Sequence, residues 1–243
     1  MSNTIQNNQV KFGEIALPSY ISSRDSVFSY ACKRIMDVVA ATLILFLLWP
    51  VMLFIALIVR LDSRGPSLFV QERVGARPRF ENGTVRWEVQ TFRFFKFRSM
   101  THNADDTLHR EHIKAFLAGT LDQADGGVKL VNDPRVTRAG AFLRKTSLDE
   151  LPQLFNVIKG EMSLVGPRPV PIYEVEGYQP WHYERLHALP GITGIWQAKG
   201  RGESSFEEMI DMDIEYVRTR SLWLDIWLVL FTIPAVLSSR GAK

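Results

Sequence analysis

A long apolar stretch interrupts the otherwise mixed pattern of polar and hydrophobic positions near the start of the chain. Residues Val38 to Val59 include no charged side chain, and about 20 apolar residues suffice for a helix to cross a bilayer. The stretch begins too late and is too long to be a cleavable signal peptide. It therefore predicts a membrane helix, with a buried helix of a soluble domain as the alternative.

A proline divides this stretch into two legs. Pro50 removes a backbone donor and deprives the carbonyl of Phe46 of its helical partner. The legs, about 12 and 9 residues, would each reach roughly the middle of a hydrocarbon core of about 30 Å. Both flanks are basic, through Lys33, Arg34, Arg60 and Arg64. Because two cytoplasmic ends would both be basic, the pattern favours a re-entrant helix-break-helix, and a kinked span remains the alternative.

The following part of the chain predicts a helix-rich mixed α/β fold with a small sheet. Residues 1–27 are polar and lack periodicity, which is typical of a tail. Ser67 to Arg98 predicts strands, with a hairpin at Asn82-Gly83 because this pair suits a type I′ turn. Residues 101–128 predict a helix-leaning inserted lobe that ends at Gly126-Gly127.

Two further helices are predicted towards the C-terminus. One covers about Ser205 to Thr219, and the other covers Leu222 to Leu237. The second is short for a span, and Trp223 and Trp227 share one face, which suits a helix lying in the membrane interface. An ordinary core helix is an equal alternative. The predicted organisation is a tail (1–27), a membrane segment (28–64) and a catalytic domain (65–243) containing the lobe.

The composition excludes several classes of protein but does not by itself indicate a function. The chain is 46% hydrophobic and 23% charged, which is typical of a globular protein and excludes a disordered or collagenous one. The net charge of +3 comes from scattered residues, and no nucleic-acid recognition motif is present, so we expect no nucleic-acid partner. A single cysteine, Cys32, excludes an internal disulfide framework and suits a reducing compartment.

The candidate chemistry lies between Asp133 and Pro169. Ser147-Leu148-Asp149-Glu150 has the pattern of a capping box, which predicts a helix that begins at Ser147. Asp149 and Glu150 could simply complement the helix dipole. Alternatively, Asp149 with a divalent cation beside it could attack a phosphorus atom, and Glu150 could assist as a metal ligand or proton carrier.

Basic residues near these acids favour phosphate chemistry, in which positioning and charge neutralisation dominate. They are Arg135, Arg138, Arg144, Lys145 and Arg168, with Lys96 and Arg98 on an earlier predicted strand. Arg168 stands between two prolines that stiffen its backbone. Each of these residues alone could also be a solvated surface charge. The phosphate-loop, dinucleotide and serine-hydrolase motifs are absent from the sequence.

From Lys33 to the C-terminus the chain resembles the bacterial sugar transferases, the monotopic polyprenyl-phosphate phosphoglycosyl transferases. The motifs that carry this resemblance are ordered along the chain: Lys33-Arg34-x-x-Asp37, the Pro50-broken stretch, Gly65-Pro66, Gln71-x-Arg73-x-Gly75, Lys96-Phe97-Arg98-Ser99-Met100, Asp133-Pro134-Arg135-Val136-Thr137, Leu143 to Gln153, Val165-Gly166-Pro167-Arg168-Pro169, Pro190 to Gly194, Gly200-Arg201 and Asp213-x-x-Tyr216-Val217. One departure is Trp49-Pro50, where members of the family often have Ser-Pro.

The resemblance implies a re-entrant helix with both ends cytoplasmic and a Mg²⁺-dependent, ping-pong reaction. Asp149 would attack the β-phosphate of a UDP-sugar, release UMP, and pass the sugar phosphate to undecaprenyl phosphate. Asp149 and Glu150 would be the catalytic pair, and Asp149 the Mg²⁺ contact. The expected substrate- and phosphate-binding residues are Lys96, Arg98, Arg144, Arg168, Arg201 and Asp213.

The resemblance also implies a place and a pathway. The expected location is the bacterial cytoplasmic membrane, with the catalytic domain on its cytoplasmic face and in contact with membrane lipids. Likeness to exopolysaccharide and capsule members favours UDP-glucose or UDP-galactose as donor, in the first membrane step of exopolysaccharide, capsule or O-antigen assembly. A homodimer is one assembly open to such a protein.

Overall fold

The computed structural model describes residues 26–120, 133–199 and 204–237. Its helices are α1 (Val27–Asp62), α2 (Thr107–Leu117), α3 (Arg138–Thr146), α4 (Gln153–Lys159), α5 (Ile172–Val175), α6 (Ile195–Lys199), α7 (Phe206–Thr219) and α8 (Leu222–Leu237). Its strands are β1 (Leu68–Glu81), β2 (Thr84–Phe97), β3 (Ser163–Val165), β4 (Val170–Pro171) and β5 (Gly191–Thr193), and short 3₁₀ helices cover Leu148–Glu150 and Pro180–Leu186. The predicted helix-rich α/β class with small sheets is confirmed.

A long hairpin forms the larger sheet. β1 and β2 pair in register from Leu68 opposite Phe97 to Glu81 opposite Thr84. The turn is Asn82-Gly83, with φ of 49° and 77°, as a type I′ turn requires, so the predicted hairpin is confirmed. β4 adds to the other edge of β1 and brings the Pro-Arg-Pro segment beside this sheet. β3 and β5 form a separate parallel pair.

The first helix lies along the domain with one face buried. Asp37, Ala41, Ile55 and Val59 are buried, at the spacing of a single helical stripe. Ala41 joins the main hydrophobic core, and Ile55 and Val59 pack with residues of β2 and α3. On the opposite side the apolar residues are exposed, for example 79% for Phe46. α1 is the one helix in the described residues that is long and apolar enough to cross a membrane, which suits membrane association.

Both ends of α1 are tied to the same domain. Near the start, Lys33 Nζ lies 2.6 Å from Asp225 Oδ2 on α8, and Asp37 accepts bonds from Ser163 Oγ (2.7 Å) and the Leu164 N–H (3.2 Å). Near the end, Arg98 donates to carbonyls of the last turn and the residues after it. The helix runs unbroken through Pro50, so the predicted interruption is not observed there, and the re-entrant path stays a prediction.

The predicted helix start at Ser147 is confirmed as a short 3₁₀ helix, Leu148–Glu150, whereas the predicted capping box is wrong. Ser147 adopts left-handed dihedrals (φ 57°, ψ 16°), ends α3, and makes no capping bond through its side chain. The chain must reverse between α3 and α4, and the left-handed residue provides that reversal. Asp149 and Glu150 therefore lie in the short 3₁₀ helix at the reversal, not in the first turn of a long α-helix.

The two C-terminal helices, α7 and α8, form where the sequence predicts them. Ser205 caps α7 through a reciprocal bond pair with Glu208. In α8 one face is core, with Asp225 and Leu228 fully buried, while Trp223 on the other face is 77% exposed. The buried face is that of a core helix, and the placement of the exposed face in the membrane interface stays a prediction. The lobe contains α2, whereas its predicted end at Gly126-Gly127, most of the predicted tail and Arg201 lie outside the described residues. The boundary predicted between 64 and 65 stays a prediction.

Candidate active site

A cleft of about 480 Å³ lies between the hairpin, α2, the Asp149 turn and the Pro-Arg-Pro segment. Of the predicted site residues, it brings together Lys96, Arg98, Arg144, Asp149, Glu150 and Arg168. Basic residues outnumber acidic ones along its walls, seven to five, and several are buried, where charge interactions are stronger than in water. The cleft therefore suits an anionic ligand.

The two acids sit on the turn between α3 and α4. Asp149 is buried, with 8% of its surface exposed, and Glu150 is half-buried. Arg168 Nη1 lies 3.7 Å from Glu150 Oε1, which places the basic Pro-Arg-Pro segment beside the acidic turn. A carboxylate in such surroundings stays available for chemistry on a phosphate, because cations near it offset the repulsion between two anions.

The Pro-Arg-Pro segment is held from both sides by arginines. Arg73 Nη1 donates to the Pro169 carbonyl at 2.8 Å, and Arg185 Nη2 donates to the Arg168 carbonyl at 2.9 Å. The Arg168 guanidinium lies 5.9 Å from the centre of the Trp196 ring, within cation–π range. Backbone and side chain of Arg168 are thus both positioned before any ligand binds.

The charge of Lys96 depends strongly on its surroundings. Burial lowers the pKa of Lys96 to about 8, while the nearby Asp149 carboxylate opposes this shift. The guanidinium groups of Arg73, Arg144 and Arg168 lower the pKa further. An anionic ligand would relieve this repulsion among cations, so the cluster favours phosphate binding.

Two predicted site residues act elsewhere. Arg98 lines the cleft, but its guanidinium donates to the carbonyls of Ser63 (2.6 Å), Arg64 (2.6 Å) and Val59 (3.1 Å) at the end of α1. Asp213 does not line the cleft. It binds the buried Arg185, and burial raises the pKa of Asp213 to about 6 although Arg185 counteracts this. Asp213 thus positions Arg185, which in turn holds the segment around Arg168.

The sequence interpretation missed Arg73 and Arg185 as cleft residues. Arg73 stood in the motif Gln71-x-Arg73-x-Gly75 without a role, and its place opposite Pro171 in the sheet depends on β4, which is only two residues long. Arg185 comes from an aromatic and charged stretch with no recognisable pattern.

The carboxylates suit Mg²⁺ bound together with a substrate. Within the described residues no group of three or more His, Cys, Asp or Glu side chains could hold a metal ion. Mg²⁺ usually takes one or two carboxylates and completes its shell with water and substrate phosphates. Asp149 and Glu150, adjacent in a basic cleft, fit that mode and would not form a complete protein cage.

A sequence profile described as bacterial sugar transferase matches residues 28–239. The chain belongs to this family. The chain is 42% identical over 212 residues to the galactosyl transferase CpsE of Streptococcus agalactiae serotype III (strain NEM316), covering 87% of this chain and 43% of that protein. It is 41% identical over 210 residues to the exopolysaccharide production protein ExoY of Rhizobium meliloti (strain 1021), covering 86% and 87%.

The name of a third relative includes both a donor and an acceptor substrate. The UDP-glucose:undecaprenyl-phosphate glucose-1-phosphate transferase of Xanthomonas campestris pv. campestris is 40% identical over 227 residues, covering 90% of this chain and 41% of that protein. The chain thus spans less than half the length of the CpsE and Xanthomonas relatives, and most of ExoY.

Proposed function

We propose that the chain transfers a sugar phosphate from UDP-glucose or UDP-galactose to undecaprenyl phosphate, with release of UMP, through a covalent sugar phosphate on Asp149. This would be the first membrane step of exopolysaccharide, capsule or O-antigen assembly. The observation that carries the proposal is the buried Asp149 carboxylate on a tight turn, beside Glu150, in a cleft otherwise dominated by Lys96, Arg144 and Arg168. The substrates named for the Xanthomonas relative support it.

The reaction follows from the groups that line the cleft. An Asp149 oxygen attacks the β-phosphorus of the donor, the bond from that phosphorus to the bridging oxygen breaks, and UMP leaves with the bridging oxygen. An oxygen of the acceptor phosphate then attacks the same phosphorus and frees the Asp149 carboxylate. Lys96, Arg144 and Arg168 hold phosphate oxygens throughout. Asp149 and Glu150 would hold Mg²⁺, which neutralises charge on the diphosphate when bound.

A lipid acceptor is supported by the apolar mouth of the cleft. Pro66, Leu68, Phe69 and Val70 follow the end of α1 and line this side, and Leu68 and Val70 are each 41% exposed. In the chain these residues come shortly after the exposed Leu57 and Leu61 of α1, which supports an apolar approach for an isoprenoid chain.

The proposal is tested with wild-type protein, Mg²⁺ and donor in the absence of lipid. We expect a burst of UMP no larger than the enzyme concentration and a gain in protein mass equal to one hexose phosphate. Adding undecaprenyl phosphate should discharge the adduct and start turnover. UMP that appears only with lipid would indicate direct transfer in a ternary complex, and continuous UMP release without lipid would indicate a hydrolase.

We further propose that both ends of α1 lie on the cytoplasmic side of the inner membrane and that the helix does not cross it. Both ends of α1 bond to one domain, through Asp37 and through Val59, so a hydrocarbon core of about 30 Å cannot lie between them. The exposed apolar side of α1 would then face lipid.

Single cysteines at Ser29→Cys and Ser67→Cys, each in a Cys32→Ser background, test this topology. We expect neither position to react with an impermeant thiol reagent in intact spheroplasts, and both to react after permeabilisation. Labelling of one position alone in intact spheroplasts would establish a span.

The lowered pKa of Lys96 makes donor binding sensitive to pH. Lys96 loses its proton as the pH rises through about 8, and an anion binds the protonated form more tightly. We therefore expect the Kd for UDP, measured by calorimetry, to rise by up to about fivefold between pH 8 and pH 9. In Lys96→Arg this rise should vanish, because guanidinium stays charged. Lys159→Arg, on an exposed side chain outside the cleft, should keep it. A wild-type Kd constant over this interval would contradict the assignment.

A further inference from the structure

A hydrogen-bonded pair joins the lobe to the opposite wall of the cleft. His109 Nδ1 on α2 lies 2.6 Å from the Tyr173 hydroxyl on α5, and the rings meet edge to face with centroids 6.0 Å apart. Both residues line the cleft. The Arg110 guanidinium lies 4.5 Å from the centre of the Tyr173 ring and is itself paired with Asp106 at 2.9 Å. The Tyr173 ring is therefore held in place independently of a ligand.

The pair is uncharged in a cleft rich in charges. Burial, followed by repulsion from Arg73 and Lys96, lowers the pKa of His109 to about 4. Burial also raises the pKa of Tyr173 to about 12. Between these values both rings are neutral, so they add nothing to the attraction for phosphate. Their contribution to binding is hydrogen bonding.

The pair keeps one donor and one acceptor, whichever way its own bond runs. If the Tyr173 hydroxyl donates to Nδ1, the His109 Nε2–H remains a donor and the Tyr173 oxygen an acceptor. If Nδ1–H donates, the Tyr173 O–H and His109 Nε2 remain. Within the described parts of the chain, no other hydrogen bond involves these side-chain groups. The two nitrogens of an imidazole ring face different directions, so the His109 Nε2 cannot reach a group that is bound to the Tyr173 hydroxyl. The donor or acceptor that remains on the Tyr173 hydroxyl is the complement of one hydroxyl group.

The position of the pair points to the sugar. His109 and Tyr173 line the same cleft as Lys96 and Asp149, so the pair and the nucleophile face one space. In a UDP-sugar the hexose is attached directly to the phosphorus that Asp149 would attack, whereas the ribose lies beyond the second phosphate. We propose that the Tyr173 hydroxyl, held in place by His109, binds one hydroxyl group of the donor hexose and so contributes to the choice of sugar. This inference rests on the proposed function.

Binding to an unreactive protein tests the inference without relying on turnover. In an Asp149→Asn background, calorimetry with UDP-glucose, UDP-galactose and their monodeoxy sugar analogues gives the affinity lost with each hydroxyl. We expect one sugar hydroxyl whose removal weakens binding about tenfold when Tyr173 is present and less than twofold in Tyr173→Phe. His109→Gln, which removes the ring but keeps polar groups, should also reduce this difference.

The matched control is Tyr183→Phe, a half-buried tyrosine outside the cleft whose hydroxyl donates to the Val175 carbonyl at 3.4 Å. It should leave the profile of the analogues unchanged. If removal of each sugar hydroxyl lowered the affinity by the same factor with and without Tyr173, the pair would serve only as a structural contact between α2 and α5. Coupling to the ribose, measured with 2′-deoxyuridine analogues, would equally overturn the inference. Absence of UDP-sugar binding altogether would contradict the proposed function as well, and the two failures are thereby distinguished.

Discussion

Asp149→Asn should form no hexose phosphate adduct and release no UMP, with turnover reduced at least about 10³-fold. The amide has nearly the shape of the carboxylate but lacks a nucleophilic oxygen anion. Intact-protein mass spectrometry after incubation with Mg²⁺ and donor measures the adduct, and hydroxylamine should remove it from the wild type, because an acyl phosphate is labile.

Two further variants separate the nucleophile from its surroundings. Glu150→Gln should slow adduct formation without abolishing it, because Glu150 would assist as a metal ligand or proton carrier. Asp211→Asn, an exposed acid on α7, should behave as the wild type. Near-normal turnover of Asp149→Asn would leave direct transfer as the mechanism and Asp149 as a structural acid.

Asp37→Ala should lower the free energy of unfolding by about 2–4 kcal/mol. Asp37 is fully buried, and its loss would leave the Ser163 hydroxyl and the Leu164 N–H without their acceptor. For a chain of this size we expect a decrease in Tm of roughly 4–16 °C, measured in detergent by thermal unfolding.

Asp62→Ala is the matched control for this loss. Asp62 lies exposed at the other end of α1 and accepts one bond, from the Ala139 N–H at 3.2 Å. Its removal should decrease the free energy of unfolding by less than about 1 kcal/mol. A loss for Asp37→Ala no larger than for Asp62→Ala would show that the bonds to Ser163 and Leu164 contribute little to stability.

Features set by neighbouring residues could be predicted from the sequence. The hairpin follows from Asn82-Gly83, because these residues tolerate the positive φ of the turn. Ser205 and Glu208 define the start of α7 by bonds that span three positions. The acids and the Arg168 segment were also recognised as one candidate site, since the chemistry of phosphate transfer calls for both charges.

Features that depend on distant parts of the chain could not be predicted. Ser147 has the same capping pattern as Ser205, but the reversal between α3 and α4 overrides it. Arg98 stands in a motif that suggests phosphate binding, and only the approach of α1, more than thirty positions away, turns its guanidinium to backbone carbonyls. Asp213 likewise acquires its role from Arg185, 28 positions away.

The hydrogen bonds and ion pairs of α1 also determine the order in which its contacts can form during synthesis. Lys33 leaves the ribosome before its partner Asp225, which lies 192 positions later, and the partners of Asp37 lie 126 and 127 positions later. Contacts so distant along the chain form slowly. The apolar side of α1 can therefore meet the membrane while the core it belongs to is still unmade. The bilayer would hold the helix during synthesis, and α8, which follows the other described helices in the chain, would complete the fold.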